Sequence, residues 1–289
     1  VGLGVMGLAD LLIYCEKTYG SVEGNALVDQ VFEKIAVTAY QTSIELAKEK
    51  GSFPFLIGKT DAETRKLRER FIDSGYMKKM PAEIREGILE HGIRNSHLLT
   101  VAPTGSTGTM AGVSTGLEPY FSFSYFRSGR LGKFIEVNAE IVEEYLENNP
   151  QASKADLPEF FVSAMELTPE AHVDVQCVIQ RWVDSSISKT VNAQRGYSVQ
   201  QVAKIYENLY SGGAKGGTVY VDGSRDSQVL TLEAIENDQT TTVEIKTENF
   251  VHEIDETNEK CPICLEGTIE EIGGCSTCTN CKVQLKCGL

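Results

Sequence analysis

Ser96-His-Leu-Leu-Thr-Val-Ala-Pro-Thr-Gly-Ser-Thr-Gly-Thr109 joins two kinds of sequence. Its first half, Ser96 to Ala102, carries Leu98, Leu99 and Val101 and predicts a short buried strand that stops at Pro103. Its second half is dominated by Gly, Ser and Thr, which predicts a loop, and a helix beginning near Thr109 would add its dipole. A strand, a glycine-rich loop and a helix in that order suit an anion. Small residues let backbone N–H groups approach an oxyanion, a helix dipole adds attraction, and the hydroxyls of Thr104, Ser106, Thr107 and Thr109 add donors. A plain polar connection has the same composition and is the alternative.

On either side, helical and strand-like periods alternate. Apolar residues at helical spacing from Leu27 to Lys50, ending at Gly51, predict a long core helix. Further helices are expected at Ala62–Asp73, from behind Pro81 to Gly92, and at Ile135–Glu147, His172–Val183 and Ser198–Tyr210. Strands are expected at Ile187–Asn192 and Thr218–Val221. Strands separated by helices predict an α/β body with largely parallel pairing. The opening Gly2-Leu-Gly4-Val-Met-Gly7 has the form of a dinucleotide fingerprint, but no strand precedes it, so close packing at a helix start is the better account. The aromatics of Glu118-Pro-Tyr120-Phe121 suit a core.

Six of the eight cysteines lie at the other end, at 261, 264, 275, 278, 281 and 287. Two Cys-x-x-Cys turns around a short glycine-containing loop let four thiolates converge on one Zn²⁺. Cys261, Cys264, Cys278 and Cys281 are the expected ligands, with Cys275 in place of Cys281 as the other split. Cys275 and Cys287 then remain for thiol exchange. A purely structural zinc ribbon has the same spacing. Cys15 and Cys177 fall in apolar helical patterns that predict buried, inert thiols.

The formal charge of −14 argues against a nucleic-acid grip, which needs basic residues to neutralise phosphates. No signal peptide and no apolar run of membrane length is evident, so a cytoplasmic setting without a membrane partner is expected. The four histidines, at 91, 97, 172 and 252, stand at no dyad or ligand spacing, which leaves a histidine-based hydrolase unsupported. Arg225 could pair with a carboxylate or a phosphate. The expected division is a body at 1–230, an acidic linker at 231–259 and a Cys-rich tail at 260–289.

Several long segments occur in one order: Gly2 to Asp10, Asn95 to Phe121, Val183-Asp-Ser-Ser-Ile-Ser-Lys-Thr-Val-Asn192 and Lys215 to Arg225. In these the chain resembles, nearly end to end, the C-terminal half of a ribonucleotide reductase large subunit of the adenosylcobalamin-dependent class. The resemblance implies the second half of a ten-stranded α/β barrel followed by a small zinc-ribbon tail. It implies that Thr104, Gly105, Ser106 and Thr107 hold the phosphates of a ribonucleotide, a diphosphate by expectation. It also implies thiyl-radical reduction to deoxyribonucleotides, and a tail that re-reduces an active-site disulfide with a thioredoxin-like partner. Tyr220 is followed by Val221, so the stacked tyrosine pair of the iron-dependent class is absent.

None of the eight cysteines matches the family's radical cysteine or its reducing pair, which lie upstream of the segment that opens this chain. The expectation is therefore a fragment or split piece that works with an N-terminal half, and the complete enzyme could form a homodimer. The alternative is a non-catalytic half-barrel and zinc-ribbon module that docks on a partner chain through exposed strand edges.

Overall fold

A computed structural model describes residues 1–128, 134–224, 268–272, 275–280 and 284–287. The chain divides into two compact units, Val1–Ala234 and Ile235–Leu289. The linker expected at 231–259 lies outside the described residues, as do Arg225 and His252.

In the larger unit, chain order gives α1 (Leu8–Tyr14), α2 (Val22–Lys50), α3 (Asp61–Ile72), α4 (Ala82–His91) and α5 (Gly105–Met110). A hairpin of β1 (Ser124–Ser128) and β2 (Phe134–Asn138) follows, then α6 (Glu140–Asn148), α7 (Pro169–Gln180), β3 (Thr190–Ala193), α8 (Val199–Ser211) and β4 (Thr218–Val221). The helix ends have local causes. Ser21 accepts the Gly24 N–H to open α2, and Gly51, at φ 79°, closes it. Thr168 caps α7 ahead of Pro169, and Ser198 with Gln201 forms a capping box on α8.

The parallel framework is read from three short contacts. Leu3 bridges Leu99, Val101 bridges Ile187, and β3 pairs with β4 from Thr190↔Thr218 to Ala193↔Val221, all parallel. Four extended segments thus adjoin in chain order, with helices between them, as an α/β winding requires. The main core gathers Val28, Ala36 and Tyr40 of α2, Ile84 and Ile88 of α4, Val175 and Ile179 of α7, and Leu99, Val101 and Ile187 from the extended segments. Burying each large apolar side chain contributes about 1.5–3 kcal/mol. A second cluster places Ile205 and Leu209 of α8 against Val191 and Ala193 of β3.

Gly2 and Gly4 permit the first parallel contact. A Cβ on Gly4 would stand 2.5 Å from the Thr100 carbonyl oxygen, and one on Gly2 would stand 2.8 Å from Thr100 Cγ2. Leu3 can therefore exchange bonds with both Leu98 O (2.8 Å) and Thr100 N (2.9 Å). Gly7, at φ 80°, turns the chain into α1. The glycine motif thus serves close packing, and an extended segment contains it where none was expected to precede it.

Three sequence expectations need correction. Ile135–Glu147 is not one helix: residues 134–138 pair with β1, Tyr125 opposite Val137, and the helix starts at Glu140. Hairpin pairing outweighs the helical period in a short, β-branched stretch. Cys15 follows α1 and is exposed, whereas Cys177 is half-buried, with burial raising its thiol pKa. The strand at 96–102 reduces to bridges at Leu99 and Val101.

In the smaller unit β5 (Ile269–Ile272), β6 (Cys275–Cys278) and β7 (Gln284–Cys287) form an antiparallel sheet in that order. Among the described residues no helix is long and apolar enough to cross a membrane.

Candidate functional site

The glycine-rich segment leaves the end of the Val101 extended segment and turns at once. Helix α5 begins at Gly105, four residues before Thr109, the position considered for a helix start. Thr104 precedes it in the left-handed region, at φ 49° and ψ 29°, an unusual place for a β-branched residue. Two bonds hold it there. Its hydroxyl oxygen accepts the Gly116 N–H at 2.7 Å, and its carbonyl accepts the Gly108 N–H at 2.7 Å. That is the first intrahelical bond, so the N–H groups of Gly105, Ser106 and Thr107 come before any helical acceptor. All three residues are exposed. The Thr109 hydroxyl donates to Gly105 O at 2.8 Å, so it serves the turn and is not one of the outward donors expected from sequence.

Gly105 is informative because the protein does not require it. Its φ lies outside the left-handed region, and a Cβ there would meet nothing within 4 Å. Glycine also weakens a helix start relative to alanine. By contrast Gly116, at φ 52°, has its Cβ position 2.9 Å from Ala102 O and is needed for folding.

The returning segment of the turn is tied to α1. Buried Asp10 accepts the Ser114 N–H at 2.8 Å on one carboxylate oxygen and the Tyr120 hydroxyl at 2.6 Å on the other. Ser114 in turn accepts the Ala9 N–H at 3.2 Å on its hydroxyl, and its carbonyl accepts the Gly7 N–H at 2.9 Å. Burial, then the Asp10 bond, pushes the Tyr120 phenol well above its ordinary range. Tyr120 is thus a polar tie as well as a packing residue. Asp10 was legible only as an acidic residue in a helix first turn.

A second set of buried groups lies just past the turn. Glu118 accepts the Thr190 N–H at 2.6 Å and the Lys189 ammonium at 2.8 Å on its two oxygens. Lys189, its side chain fully buried, also donates to Thr190 O at 3.0 Å and stands 3.1 Å from His172 Nδ1. Its ammonium lies 5.5 Å from the Tyr19 ring centroid. Because Nδ1 accepts from Lys189, the His172 proton belongs on Nε2, where it donates to Ala164 O at 3.0 Å. Burial, then the Lys189 charge, drops the His172 pKa from 6.5 to about 3. Burial also lowers the Lys189 pKa, and Glu118 opposes that shift. These three residues are scattered over 72 positions, so no local spacing announced them.

A third tie fixes the strand that leads into the turn. Asp184 accepts the N–H groups of Leu98 and Leu99 at 2.8 and 3.1 Å and the Tyr40 hydroxyl at 2.7 Å. Lys215 donates to the Asp184 carbonyl.

In the tail, the β6–β7 register sets Cys275 opposite Cys287. Cys278, opposite Ile269, is buried, and its sulfur accepts the Asn280 N–H at 3.4 Å. Such an N–H···S bond from two residues on favours a thiolate, the form that binds metal. Cys261, Cys264 and Cys281 lie outside the described residues. Among the described residues no three metal-binding side chains gather.

Parallel extended segments joined by helices, with a tightly braced turn at the end of one of them, define a protein of the α/β class, whose ligands meet the strand ends. The family described as "Ribonucleotide reductase, barrel domain" matches residues 1–220, and the chain belongs to this family. It is 31% identical over 252 residues to the vitamin B12-dependent ribonucleoside-diphosphate reductase of Mycobacterium tuberculosis, covering 81% of this chain and 32% of that protein. The enzyme of the same name from Thermoplasma acidophilum is 32% identical over 249 residues, covering 80% and 29%. The ribonucleoside-diphosphate reductase subunit alpha of Chlamydia pneumoniae is 27% identical over 242 residues, covering 73% and 23%. The chain therefore spans about a third or less of the length of these relatives.

Proposed function

We propose that this chain carries the substrate-phosphate site of a ribonucleoside-diphosphate reductase, an oxidoreductase that makes deoxyribonucleotides for DNA synthesis. Gly105 carries the proposal. Neither packing nor backbone conformation demands a glycine there, whereas a phosphate approaching the N–H groups of Gly105, Ser106 and Thr107 does. In this reading Thr104 shapes the turn, its hydroxyl proton still free to point at the ligand, and the hydroxyls of Ser106 and Thr107 add donors. The bound diphosphate presents the ribose to the strand ends, where the chemistry takes place.

Cobalamin is the cofactor this proposal includes, because two of the relatives above are named as vitamin B12-dependent and because Val221 follows Tyr220. When bound, adenosylcobalamin supplies the radical that starts the reaction. No residue of this chain is assigned to holding it, and none of its eight cysteines is assigned the thiyl radical.

The tail is proposed to hold Zn²⁺ on Cys261, Cys264, Cys278 and Cys281 and to exchange thiols through Cys275 and Cys287 with a thioredoxin-like reductant. Two observations support this. Buried Cys278 with its N–H···S bond has the chemistry of a metal thiolate. The register sets Cys275 opposite Cys287, and antiparallel partners typically stand about 4.5–5.5 Å apart at Cα, a span that a disulfide bridges.

The test is ribonucleoside diphosphate reduction, with added adenosylcobalamin, by the assembled enzyme that contains this chain. Gly105→Val should raise KM for the diphosphate by about tenfold or more, equivalent to losing ~1.4 kcal/mol of binding. An unchanged KM would remove the phosphate site from this turn.

A further inference from the structure

Lysine is among the residues least often fully buried, yet Lys189 has no exposed side-chain surface. A buried ion pair adds little net stability, because desolvation offsets the attraction, but it does restrict geometry. The geometry here concerns the phosphate turn. Glu118 grips two consecutive residues at the start of β3, the Lys189 side chain and the Thr190 N–H. The neighbouring carbonyl, of Leu117, accepts the Tyr19 hydroxyl at 2.6 Å, and the Tyr19 ring also stands beside the Lys189 ammonium. Two residues before Glu118 lies Gly116, whose N–H goes to the Thr104 hydroxyl. Lys189, Glu118, Gly116 and Thr104 therefore form a continuous run from a barrel strand to the residue that opens the turn.

We propose that Glu118 and Lys189 are positioning residues for phosphate recognition, acting through Gly116 and Thr104 on the N–H groups of Gly105, Ser106 and Thr107. The inference rests on the phosphate site proposed above. A turn that binds through backbone N–H groups works only if they are held within a few tenths of an ångström. The buried pair supplies that restraint from β3. His172 completes it from α7, since its neutral Nδ1 accepts a hydrogen bond from the ammonium and so fixes the orientation of the Lys189 head.

The experiment compares two ligands in the assembled enzyme that contains this chain: the nucleoside diphosphate as substrate and the corresponding phosphate-free nucleoside as competitive inhibitor. Lys189→Met keeps the length and apolar volume of the side chain and removes the charge. The expected result is a KM for the diphosphate raised by about tenfold, with the Ki of the nucleoside within about twofold of the parent. A merely structural role would weaken both ligands together or lower the amount of active enzyme alone. If Lys189→Met cannot be recovered folded, the neutral pair Glu118→Gln with Lys189→Met removes the stranded carboxylate and keeps an acceptor for the Thr190 N–H. The diphosphate penalty should persist in that double variant, and a return to the parent KM would overturn the proposal.

Gly105→Val separates the two levels of inference. Should it raise the diphosphate KM while Lys189→Met leaves the ratio of the two constants unchanged, the positioning role falls and the phosphate site stands. If neither variant moves the diphosphate KM, both fall.

Discussion

The Thr104 hydroxyl oxygen receives the Gly116 N–H at 2.7 Å and closes the glycine-rich turn on itself. The same threonine sits at φ 49°, so one residue both stores the local strain and supplies the bond that maintains it. Thr104→Val keeps the shape and removes the acceptor. Leaving the Gly116 N–H unpaired should cost ~1–3 kcal/mol in chemical denaturation. An unshifted midpoint would show that water replaces the bond and that the turn is not braced there.

Asp10 joins α1 to the returning side of the turn through two charge-assisted bonds. Asp10→Ala should destabilise the chain by on the order of 3 kcal/mol, because the Ser114 N–H is left buried and unsatisfied. Tyr120→Phe removes only one of the two bonds and should cost about half as much. Equal costs would mean that the tyrosine, not the Ser114 N–H, is what Asp10 secures.

Gly4→Ala sets a methyl group against backbone, with the Thr100 carbonyl oxygen 2.5 Å from the new atom. Neither chain can yield without losing the Leu3–Thr100 pairing, so a loss of ~1–3 kcal/mol is expected. Gly105→Ala, which meets nothing, makes the control. Thermal melts that rank the two variants in the opposite order would contradict the packing account of the opening glycines.

His172 gives a pH dependence of stability with a definite sign. Its pKa is 6.5 in the unfolded chain and about 3 when folded against Lys189, with Glu118 and Tyr19 around the same group. Above 6.5 both states hold the neutral ring. Below it the unfolded state takes up the proton first, so stability falls as pH drops from about 6.5 towards 3, by up to about 1.4 kcal/mol per unit. His172→Gln should flatten that part of the profile in denaturation experiments at stepped pH. A slope that survives the substitution would assign it to other groups.

The tail prediction concerns metal and turnover separately. Cys278→Ser should reduce bound zinc, measured by elemental analysis of the purified chain, whereas Cys287→Ser should leave it intact. In the assembled enzyme Cys287→Ser should abolish turnover driven by a protein reductant and spare turnover driven by a small dithiol. Loss of zinc in Cys287→Ser would exchange the roles assigned to the two cysteines.

Much of the framework was visible in local signals. Gly51, Pro81 with Gly92, and Ser198 mark helix ends where the structure has them, because caps and breakers act within a few residues, whereas the helix expected from His172 opens three residues earlier, at Pro169. Residues 218–221 form a strand as their β-branched run requires. The segment at 134–138 misled because its strand character comes from pairing with residues 124–128, a partner that no helical period can reveal.

The sequence by itself determined most of the helices, the strands at 190–193 and 218–221, the small-residue turn at 104–109 and the cysteine-dense tail, since each is a property of neighbouring residues. Only the tertiary structure decided that Thr104 braces the turn, that Gly105 is left open while Gly4 is packed tight, and that Asp10, Glu118, His172 and Lys189 belong to its support. Those facts depend on residues far apart in the chain brought within about 3 Å of one another, and a one-dimensional pattern carries no record of such distances.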